Sequence, residues 1–259
     1  MNNLLREKLL RGEHALGTFY ELGGIAAAQC IGIAGMDFAI VDTEHGPADV
    51  ESALAAITAL SARNCTPLVR VKDVTRPSVL KMLDVGARGL VVPDVQTVDE
   101  VRHLVEYAKY YPLGRRGFAP TLSGGYGFDP ECADTAGYFA HCNRQTMLIP
   151  QCETLGALEH IEEITAMEGV DGIFVGPYDL SVALGKPAQM DDPDLQAAID
   201  RVLSACKKHG KCAMIYAGDA AGSATFFRRG FDCVACGMDS IFLIQALRTL
   251  KADVEQQMG

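Results

Sequence analysis

Leu148–Ser181 reads LIPQCETLGALEHIEEITAMEGVDGIFVGPYDLS. Its pattern predicts a strand running out through Gln151 and Glu153, a helix over Leu155–Met167, and a second strand ending in Gly-Pro-Tyr-Asp-Leu-Ser. A strand–helix–strand unit of this length makes two neighbouring parallel strands, because a parallel connection needs a crossover and a helix usually supplies it. Adjacent strands lie roughly 4.8 Å apart, so carboxylates leaving their C-terminal ends reach one cation between them. Glu153 and Asp179 are therefore a candidate pair of divalent-metal ligands. Taken singly, the plainer assignments are a strand-end carboxylate and the cap of a short helix beginning at Leu180-Ser181. The rest of the chain decides between them.

Working outward, the same alternation covers the full length. Strands are predicted near Gly17–Tyr20, Phe38–Asp42, Pro67–Val71, Gly89–Val92, Met147–Gln151, Gly172–Val175, Ala213–Tyr216 and Cys233–Cys236. Helices are predicted over Ile25–Ile33, Val50–Ala62, Arg76–Val85, Val98–Tyr107, Leu155–Met167, Leu195–Lys208, Ala220–Arg229 and Ser240 to about Gln257. Eight strands alternating with eight helices over 259 residues, with no linker or low-complexity break, predict a single (β/α)8 barrel domain over 1–259. An open doubly wound sheet ranks second, since no GxGxxG turn follows the first strand. Pro150 is out of place in a central strand, where it removes a ladder donor.

The net charge of −10 disfavours a nucleic-acid partner, which needs a positive footprint, but a local arginine or metal still suits a small anionic substrate. The nine cysteines are odd in number and most sit in apolar runs, which predicts buried thiols in a reducing compartment. Cys233-Val-Ala-Cys236 has no second pair or histidine near it and reads as core packing rather than a metal site. MNNLLREKLLRGE is an amphipathic start without an apolar signal region, and no stretch approaches the ~20 apolar residues that span a bilayer. The expectation is a cytoplasmic protein with no membrane partner. The long Gly- and Pro-rich stretch Tyr111–Pro130 is the irregular loop of the chain, and Arg115 and Arg116 in it are equally consistent with an anion-facing role and with a solvated surface. The last helix begins more apolar than a barrel helix needs, which suits either a partner subunit or a cap on the barrel bottom.

Barrel active sites lie at the C-terminal ends of the strands. There the sequence places Asp42-Thr43-Glu44-His45, Arg70, Pro93-Asp94, Gln151 with Glu153, Gly176–Asp179, Tyr216 and Gly237-Met238-Asp239. Strand parity puts Gln151 and Glu153 on one side and Cys152 on the other. Two carboxylates leave most of an octahedral shell open, as Mg²⁺ or Mn²⁺ sites do, and such an ion polarises a carbonyl. Arg70 adds positive charge for a developing oxyanion, and His45 moves a proton near neutral pH with Asp42 orienting its ring. The bland alternatives are a helix-capping His45 and a structural ion pair of Arg70 with Asp42, Glu44 or Asp84.

The stretches GMDFAIVDTEHGP (35–47), PLVRVKD (67–73), LDVGARGLVVPDVQT (83–97), YPLGRRG (111–117), QCET (151–154), GVDGIFVGPYDLSVALG (169–185) and CGMD (236–239) resemble the HpcH/HpaI family of metal-dependent pyruvate aldolases, in order and nearly end to end. The resemblance implies a (β/α)8 barrel that cleaves 4-hydroxy-2-oxo acids, among them 2-keto-3-deoxy sugar acids and related diacids, to pyruvate and an aldehyde. It implies Glu153 and Asp179 as ligands of Mg²⁺ or Mn²⁺, with Co²⁺ as an alternative and no organic cofactor. Arg70 would stabilise the enolate, His45 paired with Asp42 would be the acid/base, and Gln151 would support the metal shell. Main-chain N–H groups around Pro177–Asp179 would receive the carboxylate, which makes Arg70, Gln151, Gly176, Pro177, Tyr178 and Asp179 the substrate-binding set. A homo-oligomer, commonly a hexamer, with the C-terminal helix packed on a neighbour is also implied. The chain departs from the family in Pro-Gln-Cys-Glu-Thr and in Phe118–Asp129, a segment expected to touch the aldehyde half. Competing readings are a Schiff-base aldolase using Lys72, a phosphoenolpyruvate or acyl-thioester lyase with an anion site at Arg115 and Arg116, and a non-catalytic keto-acid-binding barrel.

Overall fold

The structure, a computed structural model, describes residues 2–258. Eight parallel strands close on themselves in chain order: β1 (Ala15–Tyr20), β2 (Phe38–Asp42), β3 (Thr66–Arg70), β4 (Gly89–Val92), β5 (Met147–Cys152), β6 (Gly172–Val175), β7 (Cys212–Ala217) and β8 (Cys233–Met238). The helices among the described residues are α1 (Leu4–Leu10), α2 (Ile25–Ile33), α3 (Val50–Ser61), α4 (Arg76–Asp84), α5 (Val98–Ala108), α6 (Thr135–Gln145), α7 (Leu155–Glu159), α8 (Ile161–Ala166), α9 (Pro177–Ala183), α10 (Pro193–His209), α11 (Ala220–Arg229) and α12 (Asp239–Met258). The predicted barrel is therefore the fold. No helix among the described residues is long and apolar enough to cross a membrane.

Period-two alternation sorts the strand side chains into two cores. Phe19, Phe38, Ile40, Leu68, Val91, Ile149, Phe174 and Met214 fill the barrel interior, and Leu5 of α1 joins them from below. Their neighbours Ala39, Val41, Val69, Leu90, Leu148, Ile173 and Ile215 point outward and pack under the helices. The same parity continues past the interior core, so Asp42 after Ile40, Arg70 after Leu68 and Gln151 after Ile149 are the next inward residues toward the mouth. Pro150 is tolerated because the β5–β6 register starts at Gln151↔Phe174, one residue after it. On that side the missing N–H lies outside the paired stretch.

Several elements differ from the prediction, among them α1, which precedes the first predicted helix. The helix expected over Leu155–Met167 is two, broken at His160, which has a bridge-region backbone of φ −101° and ψ 16°. α6 occupies a stretch to which no element was assigned, and α9 follows β6 directly. The Tyr111–Pro130 segment holds a kinked 3-10 turn over Leu122–Gly127 and leads into another at Pro130–Ala133.

The barrel floor carries a buried charge network. Lys109, with a side chain 1% exposed, donates to Asp171 at 2.7 Å, and Arg6 of the N-terminal segment reaches the other oxygen of Asp171 at 2.8 Å. Asp171→Asn strands that ammonium, at a cost of about 3–5 kcal/mol, so calorimetry should show a midpoint lowered by roughly 10 °C. An unchanged midpoint would mean that Lys109 is satisfied by the Asn143 and Thr146 carbonyls alone.

Candidate active site

At the strand C-termini one level of the barrel carries three charged residues side by side. Tyr20 pairs with Val41 and Asp42 pairs with Arg70, so Glu21, Asp42 and Arg70 occupy adjacent positions on β1, β2 and β3. Asp42 is fully buried and takes a two-pronged pair from Arg70, Nε to Oδ1 at 2.9 Å and Nη2 to Oδ2 at 2.6 Å. The guanidinium also lies 3.2 Å from Glu44 and 4.9 Å above the Phe19 ring centre. Burial opposes ionisation of Asp42, but the Arg70 hydrogen bonds and charge outweigh it and hold the pKa below the ordinary carboxylate value.

This geometry corrects one expectation. Asp42 does not orient the His45 ring. Its Oδ1 accepts the main-chain N–H groups of Glu44 at 3.0 Å and His45 at 3.4 Å, so it fixes the turn. The His45 ring stands 71% exposed on the rim, with Nε2 3.9 Å from Glu44. Gly46 permits that tight turn, since a Cβ there would sit 2.4 Å from the Asp42 carbonyl oxygen.

Opposite, Glu153 is buried at the end of β5. Its Oε1 accepts the N–H of Asp94 at 2.8 Å, and its Oε2 accepts from the Gln151 amide. Burial, reinforced by Asp179 and Glu44, pushes the Glu153 pKa up to about 7, against the pull of those two donors. The Gln151 Oε1 is buried without a hydrogen-bond partner. Gly176 closes the gap: a Cβ there would stand 2.9 Å from both Gln151 Nε2 and Glu153 Oε2. Pro177 is buried in the first helical turn of α9, while Tyr178 is half exposed and edge-on to Tyr216 at 6.0 Å. Asp179 is exposed in that same turn and makes no capping bond, the cap position being Gly176. Glu44, His45, Asp94, Glu153 and Asp179 share an open cavity of about 570 Å³ at the mouth, with Leu155 and Val182 on its rim. Arg70 and Asp42 lie on the inward side of β2 and β3 at the same end.

Asp94 is a participant that sequence reasoning placed at a strand end without a role. Its left-handed backbone, φ 51°, presents the N–H to Glu153. The Pro-Asp pair after β4 is the visible signal, because Asp is among the few residues that tolerate that region.

The donor set suits a hard cation. It is all oxygen, with two carboxylates on one cavity and one orphaned amide oxygen behind them, and it leaves positions for water and substrate. Among the described residues no cluster of three or more His, Cys, Asp or Glu side chains stands at metal-binding spacing, so substrate or water must complete any shell.

Three further readings meet a different placement. Arg116 does not face an anion site at the mouth: its guanidinium pairs with Asp84 at 3.0 Å and lies over the Tyr110 ring at 4.8 Å. Phe118–Asp129 borders the other end of the barrel: Leu122 lies by Gly86 after α4, and Ser123 and Asp129 share a cavity with Arg88 and Thr146, the residues that precede β4 and β5. Lys72 follows the outward Val71, is exposed, and lines a separate cleft between α3 and α4, unlike the desolvated lysine that Schiff-base chemistry requires.

Known proteins share both sequence and shape with this chain. A model of the HpcH/HpaI aldolase/citrate lyase family matches residues 16–246. A hydroxypyruvate/pyruvate aldolase from Pseudomonas aeruginosa is 32% identical over 96% of this chain and 91% of its own length. A 2-keto-3-deoxy-L-rhamnonate aldolase from Klebsiella pneumoniae is 31% identical over 95% of this chain and 91% of its own length. The crystal structure of an HpcH/HpaI aldolase/citrate lyase family protein from Burkholderia cenocepacia superposes with a TM-score of 0.90 at 31% identity, covering 98% of this chain and 100% of that one.

Proposed function

The chain belongs to the HpcH/HpaI aldolase/citrate lyase family and is a carbon–carbon lyase, and from that premise we propose that it cleaves 4-hydroxy-2-oxo acids to pyruvate and an aldehyde with a divalent cation at Glu153 and Asp179. The observation that carries the reading is the buried Glu153 carboxylate, steered by Asp94 and Gln151 into the cavity that Asp179 shares.

In the cleavage the C4 hydroxyl gives up its proton, the C3–C4 bond breaks, its electron pair moves toward the keto oxygen, and the enolate regains a proton at C3. Mg²⁺ or Mn²⁺, with Co²⁺ the alternative, would supply Lewis-acid polarisation of the keto group. Arg70, held flat by Asp42, places fixed positive charge for the developing oxyanion. His45, on the exposed rim, exchanges the hydroxyl proton through a water and returns it to C3. The first-turn N–H groups of α9 at Tyr178 and Asp179 receive the substrate carboxylate, Pro177 having none to offer.

Release of pyruvate from 2-keto-3-deoxy sugar acids and 4-hydroxy-2-oxo diacids, coupled to lactate dehydrogenase, tests this. Activity lost in EDTA and restored by Mg²⁺ or Mn²⁺ is expected, with no inactivation by borohydride plus pyruvate. Metal-independent release trapped by borohydride would contradict it. Gly176→Ala should push Glu153 and Gln151 aside and weaken metal affinity about tenfold, read by isothermal titration. Unchanged affinity would show that the two side chains need no such support.

We also propose that a second copy covers α12. None of its described residues is buried, and Ile244, Leu247 and Leu250 are each at least half exposed, an apolar face that a lone protomer would leave in water. Leu247→Asp with Leu250→Asp should convert a homo-oligomer to smaller species in analytical ultracentrifugation. A wild-type monomer would overturn this assignment.

A further inference from the structure

Resting on the aldolase reading, we infer that the acceptor half of the substrate is an uncharged hydroxyaldehyde, so that the 2-oxo acids cleaved carry one carboxylate and not two. The mouth cavity is lined by the carboxylates of Glu44, Asp94, Glu153 and Asp179, and among the described residues no lysine or arginine lines it. His45 is the one basic group there.

The nearby arginine is committed to the pyruvate half and leaves no charge for the aldehyde half. Arg70 already answers Asp42 through two hydrogen bonds and lies 3.2 Å from Glu44. Glu21, next in the row to Asp42, adds a further carboxyl, which burial and the nearness of Asp42 and Asp239 push above its ordinary pKa. A divalent ion and the carboxylate of bound pyruvate together contribute one positive charge, too little to reverse the sign of four lining carboxylates even with His45 protonated. A second substrate carboxylate would enter this field without a partner, and like charges brought together in a partly dry cleft repel.

Hydroxyl groups meet the opposite situation. The neutral polar side chains at the rim are engaged: Gln96 donates to Asp94 at 2.6 Å, and Thr154 accepts the N–H of Ala157 at 3.0 Å. The exposed Asp94 keeps free lone pairs beyond its bond from Gln96, so the groups it can bind are donors, and the hydroxyls of a polyol chain are donors. Leu155 and Val182, both exposed on the rim, offer apolar surface to its carbon skeleton.

The test compares two aldehydes of equal chain length in aldol addition to pyruvate with Mn²⁺: 4-hydroxybutanal and succinic semialdehyde. The uncharged acceptor should be preferred at least about tenfold in kcat/KM. Added salt should narrow the ratio by screening the repulsion. Val182→Lys, which puts a cation on the rim, should narrow it too. Turnover of both aldehydes at similar rates, or a preference for succinic semialdehyde, overturns the inference and leaves the aldolase reading standing. Addition to neither, from folded protein, overturns the aldolase reading and this inference with it.

Discussion

Glu153→Gln is expected to abolish pyruvate release, by about 10³-fold or more, while making the metal-free protein more stable at pH 8. The first effect follows if Glu153 is half of the two-carboxylate grip on the cation, since a neutral amide at that position loses both the charge and the ligand. The second follows from burial. The folded-state pKa of Glu153 is raised to about 7 from an ordinary carboxylate value, so the protonated form is the one the fold prefers. Whatever stability that preference contributes is present at low pH and is lost as pH rises through about 7. At pH 8 the charged, buried carboxylate therefore costs the metal-free protein up to about 3 kcal/mol, which an isosteric amide relieves. At pH 4 the two proteins should unfold at the same temperature. Thermal unfolding in EDTA at both pH values checks this, and an amide variant less stable at pH 8 would show that Glu153 is stabilising as an anion.

Arg70→Lys and Asp42→Asn should each cost both activity and stability. Asp42 is fully buried and Arg70 nearly so, with the planar fork matched to both carboxylate oxygens. A lysine makes one contact where the guanidinium makes two, and an asparagine leaves the guanidinium without its counter-charge. Breaking such a pair costs about 3–5 kcal/mol, and losing an oriented charge at a developing oxyanion costs about 10²–10³ in kcat. Asp42 stability is linked to pH in the opposite sense to Glu153. Its pKa is depressed, so its contribution is present above the ordinary carboxylate value and is lost as pH falls through the folded one. A variant with normal kcat and reduced stability would assign the pair to structure alone, the plainer role that the sequence left open.

Much of this was legible before any coordinates. Period-two alternation is a local property, so placing Gln151 and Glu153 on one side and Cys152 on the other needed only the strand, and the strand boundaries came within one residue except at the start of β1 and the end of β8, each of which runs two residues further. The bringing together of His45, Glu153 and Asp179 followed from the order of strands around a ring. What could not be read was set by tertiary packing. The left-handed turn at Asp94 that aims its N–H at Glu153 leaves no periodic trace. Asp42 could have faced the His45 ring or Arg70 equally well by spacing, and the two-pronged fit to a guanidinium decided it. Arg116 and Phe118–Asp129 were misplaced because a loop after a helix was weighed by its glycines rather than by the end of the barrel at which that helix stops. α6 was missed because Gly137 and the Gly-rich run before it hide an ordinary helix whose N-cap is Asp134.

The claim on which the account turns is that Glu153 and Asp179 hold one divalent cation between them. A Mn²⁺ titration of the metal-free protein, followed by electron paramagnetic resonance, tests it most directly. The account predicts one ion bound per chain, a spectrum that changes when pyruvate is added, and no binding in Glu153→Gln. No binding to the wild type, or binding that survives the loss of Glu153, would contradict it.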